Sequence, residues 1–254
     1  WLIDLISPAM GLIGLPGDAA IPLVLGNFLN LYAGIGGILA LDSLTVKEVF
    51  IIATMLSFCH NLFIETSVAL KVGVKLWVVL VTRIGLAILS AVVINLVWRG
   101  GGEVIQYGGA VGGEETITGL WPILWSGLTA ATSGTLKLAF IIIPLMLIIQ
   151  IMKDLNWLNL FSKWMKPVTR MLGMKENTSM TLVAGLVIGL AYGAGVMLEA
   201  VREDKEKKKD MTIAFIFLVA CHAVVEDTVI FIPLGVPVIP LLIIRLVTAI
   251  LLAM

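Results

Sequence analysis

Two short stretches carry most of the chemistry this sequence could perform: CHNLFIET at 59–66 and CHAVVEDT at 221–228. Each sets a thiol, an imidazole, a carboxylate and a hydroxyl inside an otherwise apolar segment. A carboxylate at the centre of a bilayer costs roughly 2.5–3.5 kcal/mol on insertion scales, so it persists where it meets a cavity or a partner. His60, Asn61, Glu65, Thr66, His222, Asp227 and Thr228 are therefore candidate solute-binding residues, and the acids and imidazoles are candidate proton relays. Arg83 and Arg245 lie one apolar segment further on in each case and are the expected charge partners of Glu65 and Asp227. The plainer account of those pairs is structural, an ion pair stapling two helices.

Other chemistry fits less well. Cys59, His60 and Glu65 suit zinc or iron by type. Adjacent helical residues, however, point about 100° apart, and the sequence has no C-x-x-C or H-x-x-x-H. No metal ligand set, cofactor or catalytic residue is expected, and the chain is not read as an enzyme. His60 and Glu65 are five apart and share no helix face. Either the helix unwinds there, or the two side chains address different partners.

A second motif pair is GLPGDAAIP at 14–22 and GMKENTSMT at 173–181. Asp18 and Asn177 are N-cap residues by type, and Thr178 and Ser179 could serve as well. Helix N-termini carry unpaired N–H groups and a positive dipole end. Inside a membrane protein they bind polar or anionic groups; at the water interface they are plain caps.

The elements that must position these residues are apolar and duplicated. The chain is 59% hydrophobic and 13% charged with mean hydropathy +1.07, against about 45–50% and 25% in soluble domains. Apolar stretches at 74–98, 136–152, 178–198, 211–232 and 236–254 are long enough, or nearly so, to span the bilayer as helices. The expectation is an all-α polytopic membrane protein. Zero net charge and two cysteines in apolar segments point to neither a nucleic-acid partner nor a disulfide framework.

Lys47, Cys59, His60, Thr66, Gly73 and Arg83 recur at a spacing of 162 as Lys209, Cys221, His222, Thr228, Gly235 and Arg245. Upstream, Pro8, Gly14, Asp18, Gly26 and Gly34 meet Pro167, Gly173, Asn177, Gly185 and Gly193 at a spacing of 159. Residues 1–95 form repeat one and 160–254 repeat two. Residues 96–159 join them as a glycine-rich, acidic external loop plus a linking helix. Thr132-Ser133-Gly134-Thr135 is expected to break that linking passage, and symmetry calls for a further helix before Trp1.

Lys and Arg mark cytoplasmic loops. They crowd 153–177 and 202–210 but not the matching segments of repeat one, while Lys71 and Lys75 have no match at 233–240. That pattern predicts an inverted repeat with loops 153–177 and 202–210 cytoplasmic. Two basic loops around 178–201 predict a re-entrant hairpin with interrupted helices; the rival is a single crossing. Trp157, Phe161, Trp164, Val168 and Met171, with lysines between them, predict an amphipathic helix.

The residues Gly14 to Pro22 and Asn177-Thr178-Ser179 resemble the nucleoside-recognition, or Gate, domain. Related domains occur in ferrous-iron transporter membrane regions, concentrative nucleoside transporters and sporulation maturation proteins. The chain is most similar to the stand-alone bacterial members. The resemblance implies a multi-pass protein of the bacterial inner membrane with paired hairpins and unwound helices near the midplane. It does not imply that nucleosides are bound. Together with the buried acids, it leads to the expectation of a secondary transporter, or the transport core of one, for a small polar or anionic solute, with proton coupling. The alternatives are a non-transporting scaffold that binds a partner and, less favoured, a metal-ion transporter. Beyond the lipid bilayer and the solute, a homodimer or paired membrane subunit is the expected partner.

Overall fold

The computed structural model of the chain describes residues 2–41, 43–105, 119–202 and 208–254. Most of the acidic glycine-rich loop, including Glu114 and Glu115, and most of the basic loop at 202–210 lie outside the described residues. What is described is helical, without a strand. Four helical runs are long and apolar enough to cross a membrane: Val46–Lys71, Leu76–Val97, Leu120–Asp154 and Lys209–Val229. A pair bent by 90°, Ile6–Leu12 with Gly17–Phe28, would add a fifth. The chain is an all-α polytopic membrane protein.

The helices are α1 (Leu2–Leu12), α2 (Ala20–Phe28), α3 (Leu31–Leu39), α4 (Val46–Phe58), α5 (Leu62–Lys71), α6 (Leu76–Val97), α7 (Leu120–Asp154), α8 (Trp157–Met171), α9 (Ser179–Ile188), α10 (Leu190–Arg202), α11 (Lys208–Cys221), α12 (Glu226–Val229) and α13 (Val238–Ala253). Their starts keep the sequence spacings: α2 and α9, and α3 and α10, begin 159 residues apart, while α6 and α13 begin 162 apart. Short 3-10 turns at Gly17–Ala19 and Glu176–Thr178 match as well. They follow Gly14 and Gly173, whose positive φ of 78° and 73° lets the chain reverse after α1 and α8.

α2 with α3, and α9 with α10, are helix–tip–helix hairpins. A Cβ on Gly34 would meet Gly26 Cα at 3.1 Å, and one on Gly37 would meet Pro22 Cα at 2.9 Å. Partners whose numbers rise on one arm and fall on the other belong to antiparallel arms. In the second hairpin a Cβ on Gly193 would meet the Ala184 carbonyl at 3.4 Å. Small residues let the arms approach this closely. The first tip is held by Asn30, whose side chain accepts the Ala33 N–H at 2.9 Å as an N-cap. The second turns on Gly189 at φ 89°.

α4 opens with a capping box. Thr45 Oγ1 accepts the Glu48 N–H at 3.3 Å, and Glu48 Oε2 accepts the Thr45 N–H at 2.7 Å. α6 and α13 each turn one narrow face inward, Val79, Arg83, Ala87 and Ala91 on one and Leu241, Arg245, Ala249 and Ala253 on the other. That four-residue stripe is the buried side of a helix whose remaining faces are exposed and apolar.

One expectation fails. α7 runs unbroken through Thr132–Thr135. Thr129 and Thr132 donate their hydroxyls to the Trp125 and Leu128 carbonyls of their own helix, at 3.0 and 2.7 Å, so their polarity is satisfied without a break. At ~1.5 Å per residue the helix is about 52 Å long, well beyond a hydrocarbon core of about 30 Å.

Candidate functional site

The site is made by interrupting two spans at the same place. α4 ends at Phe58 and α5 begins at Leu62; α11 ends at Cys221 and α12 begins at Glu226. The breaks pass through left-handed backbone at Asn61 (φ 48°) and Ala223 (φ 39°), positions 162 apart. Such a conformation is costly for a residue with a side chain and persists where its surroundings enforce it. Here the enforcing partner is a hairpin. The Asn61 N–H donates to the Gly26 carbonyl at 2.8 Å, and the Ala223 N–H to the Gly185 carbonyl at 2.9 Å. Both carbonyls belong to glycines near a hairpin tip, where a Cβ would come within 2.4 Å of a methyl of Leu56 or Leu218.

Breaking a helix leaves orphan carbonyls at one end and orphan N–H groups at the other. The buried arginines answer the first. Arg83 donates to the His60 carbonyl, and Arg245 to those of His222 (2.5 Å) and Ala220 (3.4 Å). The acids stand in the first turns of the restarted helices, where the dipole favours them. Arg83 Nη1 lies 2.7 Å from Glu65 Oε2, and Arg245 Nη2 lies 3.1 Å from Asp227 Oδ2. Both arginines are fully buried and both acids nearly so.

Unwinding also brings His60 and Glu65 together, five residues apart though they are. His60 Nε2 is 3.4 Å from Glu65 Oε1. His222 Nε2, from the other repeat, is 3.3 Å from the same oxygen and 3.3 Å from His60 Nε2. His222 Nε2 also stands 3.6 Å from Asp227 Oδ2. Each imidazole is fixed behind by its Nδ1, which donates to the carbonyl one turn back: His60 to Leu56 at 2.7 Å and His222 to Leu218 at 2.8 Å. His60, Glu65 and His222 thereby gather three metal-capable atoms within 4.8 Å. Weighing each repeat separately hides this set, because its two nitrogens come from different repeats.

A cavity of ≈ 230 Å³ opens on the cluster. Its walls include both hairpin tips (Leu29 to Tyr32 and Ile188 to Ala191), both breaks (His60, Asn61, His222 and Ala223), and Glu65, Glu226 and Asp227. Helices α2, α4, α9 and α11 end around it, and α3, α5, α10 and α12 begin there.

Of the other sequence candidates, Thr66 is buried beside Glu65. The Thr228 hydroxyl accepts from Arg245 Nη1 at 3.3 Å. Asp18, Asn177, Thr178 and Ser179 do not join the site. They sit at the starts of α2 and α9, at the far end of each hairpin arm from its tip, and none lines the cavity. Neither Asp18 nor Asn177 is an N-cap: both lie inside 3-10 turns whose flanking residues are Pro16 and Lys175. Asn177 is exposed. The Ser179 hydroxyl instead meets that of Ser162 on α8 at 2.8 Å. The hairpins present their tips to the site, not their N-termini.

The sequence reading missed Glu226 and Tyr32. The Tyr32 hydroxyl donates to Glu226 Oε1 at 2.5 Å, tying the first hairpin tip to the second repeat. The signal for Glu226 was a pair of adjacent acids in an apolar span, of which only the one aligned with Glu65 was chosen. Tyr32 gave none, because its repeat-two counterpart is Ala191.

Comparison with known proteins adds a family. Residues 135–250 match the model of the Gate domain, described as nucleoside recognition. The match covers the end of the linking helix and repeat two, so the motif at Gly14–Pro22 lies outside it. The chain is 63% identical over 255 residues to the uncharacterized membrane protein YvoD of Bacillus subtilis (strain 168), spanning 100% of this chain and 81% of that protein. No solved structure matches.

Proposed function

The chain belongs to the Gate (nucleoside-recognition) membrane protein family and is a relative of YvoD, and on that premise we propose that it is a secondary transporter whose solute site is the cavity between the hairpin tips and the broken helices. One observation carries the reading: two hairpin tips and two helix breaks, one of each per repeat, converge on one buried charged cavity. Non-helical backbone at membrane depth is tolerated where it is buried in protein or lines a water-filled cavity, and transporters place substrate sites at such discontinuities. A scaffold would be served by a dry, fully paired interior. Here the cavity reaches Glu65 and Asp227.

The volume favours a small solute, since drug-sized ligands occupy sites of roughly 300–1,000 Å³. The expected anionic solute rested on helix N-termini at Asp18 and Asn177 facing the site. With those elsewhere and three carboxylates at the cavity, an anion is not favoured. We take the repeats to run in opposite senses, with α8 and its exposed Lys163 and Arg170 on the cytoplasmic side. Tips that can swing against fixed breaks would then expose the cluster to either face in turn.

The test is uptake into proteoliposomes of a panel of metal cations, amino acids, carboxylates and nucleosides. Wild-type protein should accumulate at least one class, and Glu65→Gln should abolish that accumulation while still eluting as a folded species. Wild-type vesicles indistinguishable from empty ones across the panel would defeat the proposal.

A further inference from the structure

The cluster carries a sharper statement about its ligand. Nδ1 of His60 and of His222 each faces a backbone carbonyl, at 2.7 and 2.8 Å. A carbonyl only accepts, so both Nδ1 atoms hold a proton. In the neutral rings both Nε2 atoms then bear lone pairs. Those lone pairs meet each other and Glu65 Oε1 in a triangle with sides of 3.3, 3.3 and 3.4 Å. Three acceptors with no donor among them leave a place for a cation.

Two cations are available to chemistry, a proton or a metal ion. A charge-assisted N–H···O bond closes to about 2.7–2.9 Å, and the triangle is wider than that on every side. Bonds of about 2.0–2.2 Å to nitrogen and oxygen in a tetrahedron place neighbouring donors about 3.3–3.5 Å apart. The observed sides fall in that range. The carbonyl behind each imidazole is also the usual outer support of a metal-binding histidine.

Charge agrees. Glu65, Asp227 and Glu226 at the cavity carry three negative charges if ionised, against two on Arg83 and Arg245. With neutral imidazoles one negative charge is left over. Two imidazoles and one carboxylate suit a borderline ion such as Zn²⁺, Fe²⁺ or Co²⁺ over hard Mg²⁺ or Ca²⁺. Three protein ligands beside a cavity leave a coordination position open.

We propose that His60, His222 and Glu65 bind a divalent transition-metal ion across the interface of the two repeats, and that such ions are the solute class of this site. The second half rests on the transport reading; the first does not.

The test uses the full-length protein, purified in detergent and stripped with a chelator. Titration with Co²⁺ should give the visible absorption of a low-coordinate site, saturating at one ion per chain. Zn²⁺ should displace the ion and millimolar Mg²⁺ should not. His60→Gln and His222→Gln should each weaken binding by roughly 100-fold or more, given that outer-shell partners alone are worth about 10–100-fold. Should either variant fail to fold, X-ray absorption of the wild-type cobalt complex decides, since it must show two imidazole ligands. Absence of saturable binding, an oxygen-only shell, or wild-type affinity in both variants would overturn the proposal. Failure of the two readings can be told apart. Metal binding without uptake in proteoliposomes sinks transport and leaves the site; uptake of another solute by protein that binds no metal sinks the site and leaves transport.

Discussion

The two halves of the site share a frame but not their chemistry. In each, an arginine from the following helix caps the broken span and pairs with an acid that restarts it. In each, a left-handed residue hangs on a hairpin carbonyl. Yet Glu65 touches both imidazoles while Asp227 approaches only His222, at 3.6 Å. Asn61 faces the cavity where repeat two has Ala223, and Glu226 takes the place of Ile64. The two halves share a scaffold, and the acid that meets both imidazoles lies in the first of them. The comparison therefore separates residues that hold the breaks open from residues that use them.

The arginines belong to the first kind and should give the largest effect. Arg83→Met strands a buried carboxylate, and breaking a buried pair from one side costs roughly 3–5 kcal/mol. Arg245→Met should cost about as much. The readout is the thermal unfolding midpoint in detergent. Adding Glu65→Gln to Arg83→Met should return most of the lost midpoint without restoring uptake. A double variant as unstable as the single one would mean that carbonyl capping, not the ion pair, is what Arg83 provides.

The acids differ in kind. Glu65→Gln should lower metal affinity or uptake by roughly 100-fold and Asp227→Asn by roughly 10-fold, the second being the size of an outer-shell change. Equal losses would erase the asymmetry between the half-sites and return Glu65 to a structural role.

Much of this arrangement was legible in the sequence, for definite reasons. A membrane span makes every polar residue expensive, so Cys-His and acid-Thr in one register could not be chance neighbours. Pairing of Arg83 with Glu65 and of Arg245 with Asp227 followed from the lack of any cheaper partner. The break itself was hinted at by the five-residue separation of His60 and Glu65. What stayed hidden was direction. Asp18 and Asn177 have the residue types of caps, but nothing local says which end of a hairpin meets the centre. The tips answer through Asn30 and Gly189, one a cap and one a positive-φ glycine, so alignment of the repeats could not single them out. The meeting of His60 with His222 is a contact between repeats, and spacing within one repeat carries no information about it.

The tips offer the next comparison. Gly189→Ala must accept φ 89° and a Cβ 3.3 Å from that of Ala223. It should cost about 1–3 kcal/mol and shift the break at Ala223, with loss of uptake. Asn30→Ala loses a cap, about 1 kcal/mol, together with one polar group of the cavity wall, and should lower uptake less than Gly189→Ala does. If both variants lose stability equally, the tips are simple turns and the second is not the strained member of the pair.

The smallest effect comes from glycines on the opposite faces of the same arms. Gly36 and Gly195 occupy matching positions, are exposed, and have nothing within 4 Å of a would-be Cβ. Gly34 and Gly193, two residues earlier, face the partner arm. In open space a helical Gly→Ala change reduces the freedom of the unfolded chain, and both Gly36→Ala and Gly195→Ala should stabilise the protein by roughly 0.4–1 kcal/mol. Gly34→Ala and Gly193→Ala should not. A loss of stability at Gly36 or Gly195 would carry its own meaning. The missing neighbour would have to come from outside the described residues, and chemical cross-linking of that variant against wild type would show whether a second subunit covers the face.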